Sequence, residues 1–181
     1  ETLAGKTTTT WYFGGVEFVQ APGKPEQVHW YPHPNVRMTY LVTGSSGHLG
    51  EALVRSLRAR KEATVSVDIR PGVFTDHVLD ISGADQISSL FKGVRHVLHA
   101  ATLHKPHVAT HSRLDFIRSN IEGTQVLLDA ALREGVESFV FTSTTSTFGD
   151  ALAPPPGAPA AWITEEVAPQ VKNIYGASKL A

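Results

Sequence analysis

The sequence contains no cysteine. That excludes a disulfide scaffold and thiolate metal ligation, and it leans toward a reducing compartment such as the cytoplasm. Long apolar runs are also missing. None approaches the ~18 residues of a membrane helix, so no membrane partner is expected. A charge excess is absent as well: 16 Lys and Arg stand against 17 Asp and Glu, a formal net charge of -1. No basic field exists to recruit nucleic acid. The chain opens on Glu1 without an initiator methionine, which reads as a trimmed end, and no basic start followed by an apolar segment signals secretion. What is present is ordinary globular material: 181 residues, 41% of them hydrophobic. That suffices for one substantial core.

Two segments differ in pattern. Residues 1–36 carry the short run Thr7 to Thr10 and two strand-like pieces, Val16 to Val19 and Val28 to Tyr31. These flank Ala21-Pro22-Gly23-Lys24-Pro25 as a hairpin would, and Pro32-His33-Pro34 then breaks regular structure. The segment is expected to be an appended arm; the alternative is a lid or subunit contact using Trp11, Trp30 and Tyr31. Residues 37–181 instead alternate strand with helix. Met38 to Thr43 and Ala63 to Val67 are apolar strands, separated by a helix on which Leu49, Leu53 and Leu57 recur at helical spacing. Ile87, Leu90 and Phe91 predict a short helix closed by Gly93, and Val94 to Ala101 a further strand. A long helix is expected from about Ser112 to Glu134, with Ile117, Ile121, Leu128 and Leu132 on its apolar face and Gly135 as its stop. Ser138 to Thr142 is the next strand, and Ala153 to Pro159 forces a long loop before a helix near Asn173. The predicted fold class is α/β: a Rossmann-type, doubly wound parallel sheet, incomplete at its C-terminal side, with an atypical N-terminal arm.

The strongest chemical signal is Thr43-Gly44-Ser45-Ser46-Gly47-His48-Leu49-Gly50, which follows a strand and opens a helix. Gly44 allows the tight turn, Gly47 a close approach of backbone to a pyrophosphate, and Gly50 close helix packing. The helix N-terminus offers free N–H groups and a positive dipole end. Asp68, at the end of the second strand, suits the adenosine ribose hydroxyls and repels a 2′-phosphate, which favours NAD over NADP. Arg70 argues in the other direction. His104, His107 and His111 are spaced as metal ligands might be, yet no acidic or thiolate partner accompanies them, so no metal is expected.

Together these residues resemble the extended short-chain dehydrogenase/reductase family of NAD-dependent epimerases and dehydratases, over its N-terminal portion. The resemblance runs from Met38 to Ala181. Besides the glycine turn, with Ser46, His48 and Leu49 inside it, it rests on Asp80-Ile81, His99-Ala100-Ala101 followed by Thr102, and Asn120-Ile121-Glu122-Gly123-Thr124. It rests further on Phe139 through Gly149, which holds Thr142, Ser143 and Thr144, and on Tyr175-Gly176-Ala177-Ser178-Lys179. The resemblance implies that Asp80 and Ile81 contact the adenine, and that Ala100, Ala101, Thr102, Asn120, Thr142 and Ser143 line the cofactor. It also implies that Tyr175, Lys179 and Thr144 are catalytic. Ser143 is the neighbour that competes with Thr144 for the substrate-orienting role.

Spacing supports the chemistry. Tyr175 and Lys179 are four residues apart and share one helix face. A free phenol titrates near 10, and a neighbouring ammonium favours its phenolate. In the family the tyrosine takes a substrate hydroxyl proton while hydride goes to the nicotinamide, and the lysine also holds the nicotinamide ribose. The implied activity is oxidoreduction or epimerisation of a hydroxyl- or carbonyl-bearing small molecule, with a nucleotide sugar as one candidate. The alternatives are a non-catalytic NAD-binding module and an NADPH-dependent carbonyl reductase. A homodimer is a further implication of the resemblance. Two features depart from the family pattern: the proline-rich loop between Thr144 and Tyr175, and Asn173-Ile174 ahead of the tyrosine.

Overall fold

The computed structural model describes residues 39–181 in full, together with the backbone of five short strands nearer the N-terminus. It divides into two compact units, Glu1–Met38 and Thr39–Ala181.

In the first unit β1 (Thr2–Leu3) pairs antiparallel with β2 (Lys6–Thr7). A three-stranded antiparallel meander follows, made of β3 (Thr9–Phe13), β4 (Val16–Gln20) and β5 (Val28–Pro32). The expected hairpin is present, with Phe18 opposite Trp30 and Val19 opposite His29. The side chains of Trp11, Trp30 and Tyr31, considered for a lid or contact, lie outside the described residues.

The second unit is a parallel sheet with helices on both faces. Its strands are β6 (Thr39–Thr43), β7 (Ala63–Asp68), β8 (His77–Val78), β9 (His96–His99) and β10 (Ser138–Phe141). They lie in the order β10-β9-β6-β7-β8, all parallel. The chain winds outward from β6 to one edge through β7 and β8, then returns to the other side of β6 with β9. The order reverses between β6 and β9, and the crevice beyond their carboxyl ends is where ligands bind in such sheets.

Burial shows the double winding. Leu41 and Val42 are successive residues of β6 and point to opposite faces, yet both are fully buried. Val42 packs with Val54 and Leu57 of α1 (His48–Ala59), on the face that Phe74 also covers. Leu41 packs on the other face with Val67, Val97, Ile87 and Phe91, and with Leu127 and Ala130 of the long helix. Ile87 belongs to α2 (Ala84–Leu90), which Gly93 closes in a left-handed conformation. Each such buried aliphatic side chain contributes about 1.5–3 kcal/mol relative to exposure.

Three details differ from the sequence reading. Leu49 is largely exposed, because Gly50 and Val54 take the inward positions of α1. The edge strand β8 has no counterpart in the sequence reading. The segment 69–76 joins it to β7, pinned where Asp76 accepts from the Ser66 backbone N–H and the Arg58 guanidinium. The long helix is not continuous: α3 (Arg113–Phe116) leads into a π-helical turn, Ile117–Glu122, before α4 (Gly123–Glu134). The turn shifts the helical phase, so Phe116, Asn120, Gly123 and Leu127 face inward. Ile117, Leu128 and Leu132 are consequently exposed rather than packed on the sheet. Gly135 ends α4 in the left-handed region, as its position predicts.

Candidate active site

The glycine turn sits at the reversal point, between the ends of β6 and β9. Gly44 has φ 76°, and a Cβ there would lie 2.6 Å from the Ala101 nitrogen, so no other residue fits. A Cβ on Gly50 would collide with the Gly44 carbonyl, which explains the third glycine as a packing requirement. Gly47 differs. It caps α1 in an extended conformation, and a Cβ would meet only the Gly44 oxygen, at 3.2 Å. No side chain caps α1. The first-turn N–H groups at His48 and Leu49 therefore have no intrahelical partner, and such groups could hold an anion. This bare helix end, approached over a glycine, fits a pyrophosphate.

Asp68, at the tip of β7, is buried, and its carboxylate accepts from the Ser46 N–H (2.9 Å) and the Arg70 N–H (2.9 Å). The Arg70 guanidinium lies 4.0 Å from the same carboxylate but is itself largely exposed. Ser46 is fixed by its hydroxyl, which donates to the Arg70 carbonyl. Thr75, which nothing in the sequence singles out, contacts both Ser45 and Ser46 through its hydroxyl.

The other wall comes from the loop after β9 and from the π-helical turn. Ile81 is buried while Asp80 is exposed and accepts from Ser82. Gly123 permits the approach of Ile81, whose Cγ1 would lie 2.7 Å from any Cβ there. Asn120 is buried and saturated. Its Oδ1 accepts from the Leu103 N–H (2.8 Å) and the Thr102 hydroxyl (3.1 Å), and its Nδ2 donates to the Leu103 carbonyl and the Ser178 hydroxyl. Ala100 and Ala101 lie directly against Gly44.

Past β10, Thr142 is half-buried and Ser143 exposed. Thr144 caps a short 3₁₀ turn, Thr145–Thr147, by accepting from the Ser146 N–H (3.2 Å). Onto this turn packs α5 (Ile174–Leu180), capped by Asn173, whose Oδ1 accepts from the Gly176 N–H. Gly176 makes the packing close: a Cβ would lie 2.5 Å from the Ser146 carbonyl oxygen. The helix that bears Tyr175 and Lys179 is thus packed against the turn that Thr144 caps. Tyr175 and Lys179 are both buried, and the Lys179 ammonium sits 4.0 Å above the Phe141 ring centre. Burial pushes the amine down to about 8.

The proline-rich loop is tied at its base. Gly149, with φ 51°, lies against Gln170, and backbone bonds run from Asp150 N–H to Gln170 O and from Gln170 N–H to Phe148 O. The histidines at 104, 107 and 111 stack edge to face around the turn 105–109, with ring centres 4.4 and 5.0 Å apart. Desolvation together with neighbouring His104, His111 and Arg70 lowers His107 below the ordinary histidine value. Among the described residues no group of three His, Asp or Glu side chains is arranged to hold a metal ion, and no helix is long and apolar enough to cross a membrane.

With this geometry in place, residues 40–181 match the model of the NAD dependent epimerase/dehydratase family. The chain belongs to that family. It is 33% identical over 153 residues to a UDP-glucose 4-epimerase of Streptomyces lividans, covering 78% of this chain and 44% of that protein. It is 37% identical over 131 residues to a dTDP-glucose 4,6-dehydratase of Streptomyces antibioticus, covering 62% and 39%. Among solved structures it resembles a short-chain dehydrogenase/reductase superfamily protein from Agrobacterium tumefaciens with bound NAD. The TM-score there is 0.66 at 33% identity, over 78% of this chain and 42% of that one. The chain therefore spans less than half the length of these relatives.

Sequence reasoning missed several members of the site. Thr43, Thr75, His99, Thr124, Phe141 and Ser178 all bond or pack against residues that it named. Of these only Thr75 lay outside the motifs used for recognition; the others lay inside them without being given a role.

Proposed function

We propose that the chain carries the cofactor-binding and proton-transfer machinery of an NAD-dependent oxidoreductase or epimerase. Its substrate would be a small hydroxyl- or carbonyl-bearing molecule, a nucleotide sugar by analogy with the two enzymes above. The observation that carries the reading is the buried Lys179, four residues after the buried Tyr175, on a helix packed against the turn that Thr144 caps. A buried, unpaired-by-carboxylate cation is costly to keep, and such groups concentrate where chemistry needs them.

Gly44, Ser46, Gly47, His48, Leu49 and Gly50 would hold the pyrophosphate, and Asp68 the adenosine ribose; the Asp68 charge opposes a 2′-phosphate. Asp80, Ile81, Ala100, Ala101, Thr102, Asn120, Thr142 and Ser143 would line the rest of the cofactor's path. NAD, when bound, supplies a site that accepts and returns hydride. Tyr175 takes the proton from the substrate hydroxyl as the carbinol C–H bond breaks, and Thr144 hydrogen-bonds the same oxygen. Lys179, still mainly protonated at pH 7 with its amine near 8, keeps positive potential beside the phenol and anchors a ribose. A homodimer belongs to the same reading, through the exposed Leu114, Ile117, Leu128 and Leu132.

Replacement of Tyr175 by Phe tests this on the intact protein. NAD⁺ affinity should stay within about threefold while turnover falls by about 10²–10⁴, the usual contribution of a general acid–base group. Unchanged turnover would refute the assignment of Tyr175.

A further inference from the structure

His99 is fully enclosed at the end of β9, and the reaction outlined above gives it no part. Its two ring nitrogens reach different elements. Nδ1 lies 2.6 Å from the Thr43 hydroxyl on β6, and Nε2 lies 3.0 Å from the Thr124 hydroxyl on α4.

The neighbours fix which nitrogen bears the proton. The Thr124 hydroxyl donates to the Asn120 carbonyl at 2.7 Å, so toward His99 it can only accept. Nε2 must therefore carry hydrogen. Thr43 Oγ1 already accepts from the Ala101 N–H at 3.1 Å, and its own hydrogen is satisfied only by Nδ1. An Nδ1–H ring would leave both a hydroxyl hydrogen and Nε2 without a partner in a closed interior. A doubly protonated ring would bring a second cation close to Lys179. Burial, with Lys179 adding to it, holds His99 down to about 3, in keeping with a neutral ring.

The bonds beyond each end keep the same direction. Ala101 N–H donates to Thr43, Thr43 to His99, His99 to Thr124, and Thr124 to the backbone carbonyl of Asn120, the residue whose side chain continues the series. The Asn120 amide then donates to Ser178 (2.9 Å), and Ser178 to the Tyr175 carbonyl (3.0 Å). One end of this series is the backbone that Gly44 abuts in the dinucleotide crevice. The other end is the first turn of the helix bearing Tyr175 and Lys179. Within this series His99 is the link between sheet and helix, and it makes that link only as the Nε2–H tautomer.

We propose that His99 is a positioning residue, a neutral Nε2–H imidazole that registers the tyrosine-bearing helix to the dinucleotide crevice. The proposal rests on the functional reading above. It gives the two ring nitrogens separable jobs: Nδ1 holds the Thr43–Ala101 wall of the crevice, and Nε2 holds the Thr124–Asn120–Ser178 arm.

Two substitutions separate these jobs in the intact protein. In His99→Asn the side-chain carbonyl stands near the Nδ1 position and still accepts from Thr43, while the link to Thr124 is lost. In His99→Gln the amide reaches the Nε2 position and still donates to Thr124, while Thr43 loses its acceptor. The measurements are NAD⁺ affinity by calorimetry, hydrogen exchange at the amides of Ala177 to Leu180, and the ring tautomer of His99 by long-range ¹⁵N–¹H spectra. The wild-type ring should be neutral and Nε2-protonated from pH 5 to 8. The Gln variant should bind NAD⁺ about tenfold more weakly with exchange within twofold of wild type. The Asn variant should bind NAD⁺ within threefold but exchange about tenfold faster in the helix. An Nδ1–H or doubly protonated ring at pH 7, identical profiles for the two variants, or no effect of either, overturns the proposal. If wild-type protein does not bind NAD⁺, the functional reading fails, and the tautomer and exchange measurements still decide the role of His99.

Discussion

The Lys179 ammonium lies 4.0 Å above the centre of the Phe141 ring, so the end of β10 supplies a π face rather than a carboxylate to a buried cation. A quadrupole offsets only part of the lost hydration. The folded state thus bears a penalty for keeping this amine, and its pKa falls from 10.5 to about 8. Between those values the unfolded chain binds a proton that the folded chain has released, so this group makes stability rise with pH. Below about 8 both states hold the proton and the penalty is constant. Lys179→Met should therefore stabilise the protein at pH 7 by about 1–3 kcal/mol while abolishing turnover. Its advantage should shrink as pH rises from 8 toward 10.5. Denaturant titrations at pH 7 and 9.5 measure this; a destabilised Met variant at pH 7 would contradict it.

The glycines of the turn should separate by function. A methyl at position 50 has nowhere to go but into the Gly44 carbonyl, so Gly50→Ala should cost about 1–3 kcal/mol of stability. Gly47 has an extended backbone and more room, and Gly47→Ala should stay within about 1 kcal/mol of wild type. Its methyl would intrude where the proposed pyrophosphate site lies, so affinity for NAD⁺ should drop at least tenfold. Thermal melts with and without NAD⁺ distinguish the pair.

Gly176 sets the distance between α5 and the turn that Thr144 caps. An alanine there meets the Ser146 carbonyl oxygen at 2.5 Å and must lift the helix or bend the turn. Misplacement of catalytic groups by about 1 Å costs about 10²-fold in rate. Gly176→Ala is therefore expected to lower kcat by about that factor with little change in NAD⁺ affinity. Equal losses in both would place the strain at the cofactor instead.

Much of this was legible in the sequence because the relevant constraints are local. A strand, three spaced glycines, a helix and an acid at the next strand's end declare the crevice within thirty-odd residues. Tyr175 and Lys179 declare a shared face by spacing alone. What was hidden depends on chain segments meeting from a distance. The strand His77–Val78 is two exposed residues, too short for any period to register. The π-helical turn changes phase inside an unbroken helical pattern, so Ile117, Leu128 and Leu132 looked like the buried stripe while Asn120 and Gly123 held the inward places. The sequence marks His99 only as the first residue of the His99-Ala100-Ala101 segment; its role shows only when Thr43 and Thr124 arrive from 56 and 25 positions away.

The most direct test is a calorimetric titration of the protein with NAD⁺ and, separately, NADP⁺, each repeated on Gly47→Val. Saturable binding of NAD⁺ should be seen, at least tenfold tighter than that of NADP⁺ because in the proposed reading the Asp68 carboxylate would take the ribose hydroxyls and oppose a 2′-phosphate, and it should disappear in the valine variant. Absence of NAD⁺ binding, preference for NADP⁺, or undiminished affinity in Gly47→Val would contradict the account.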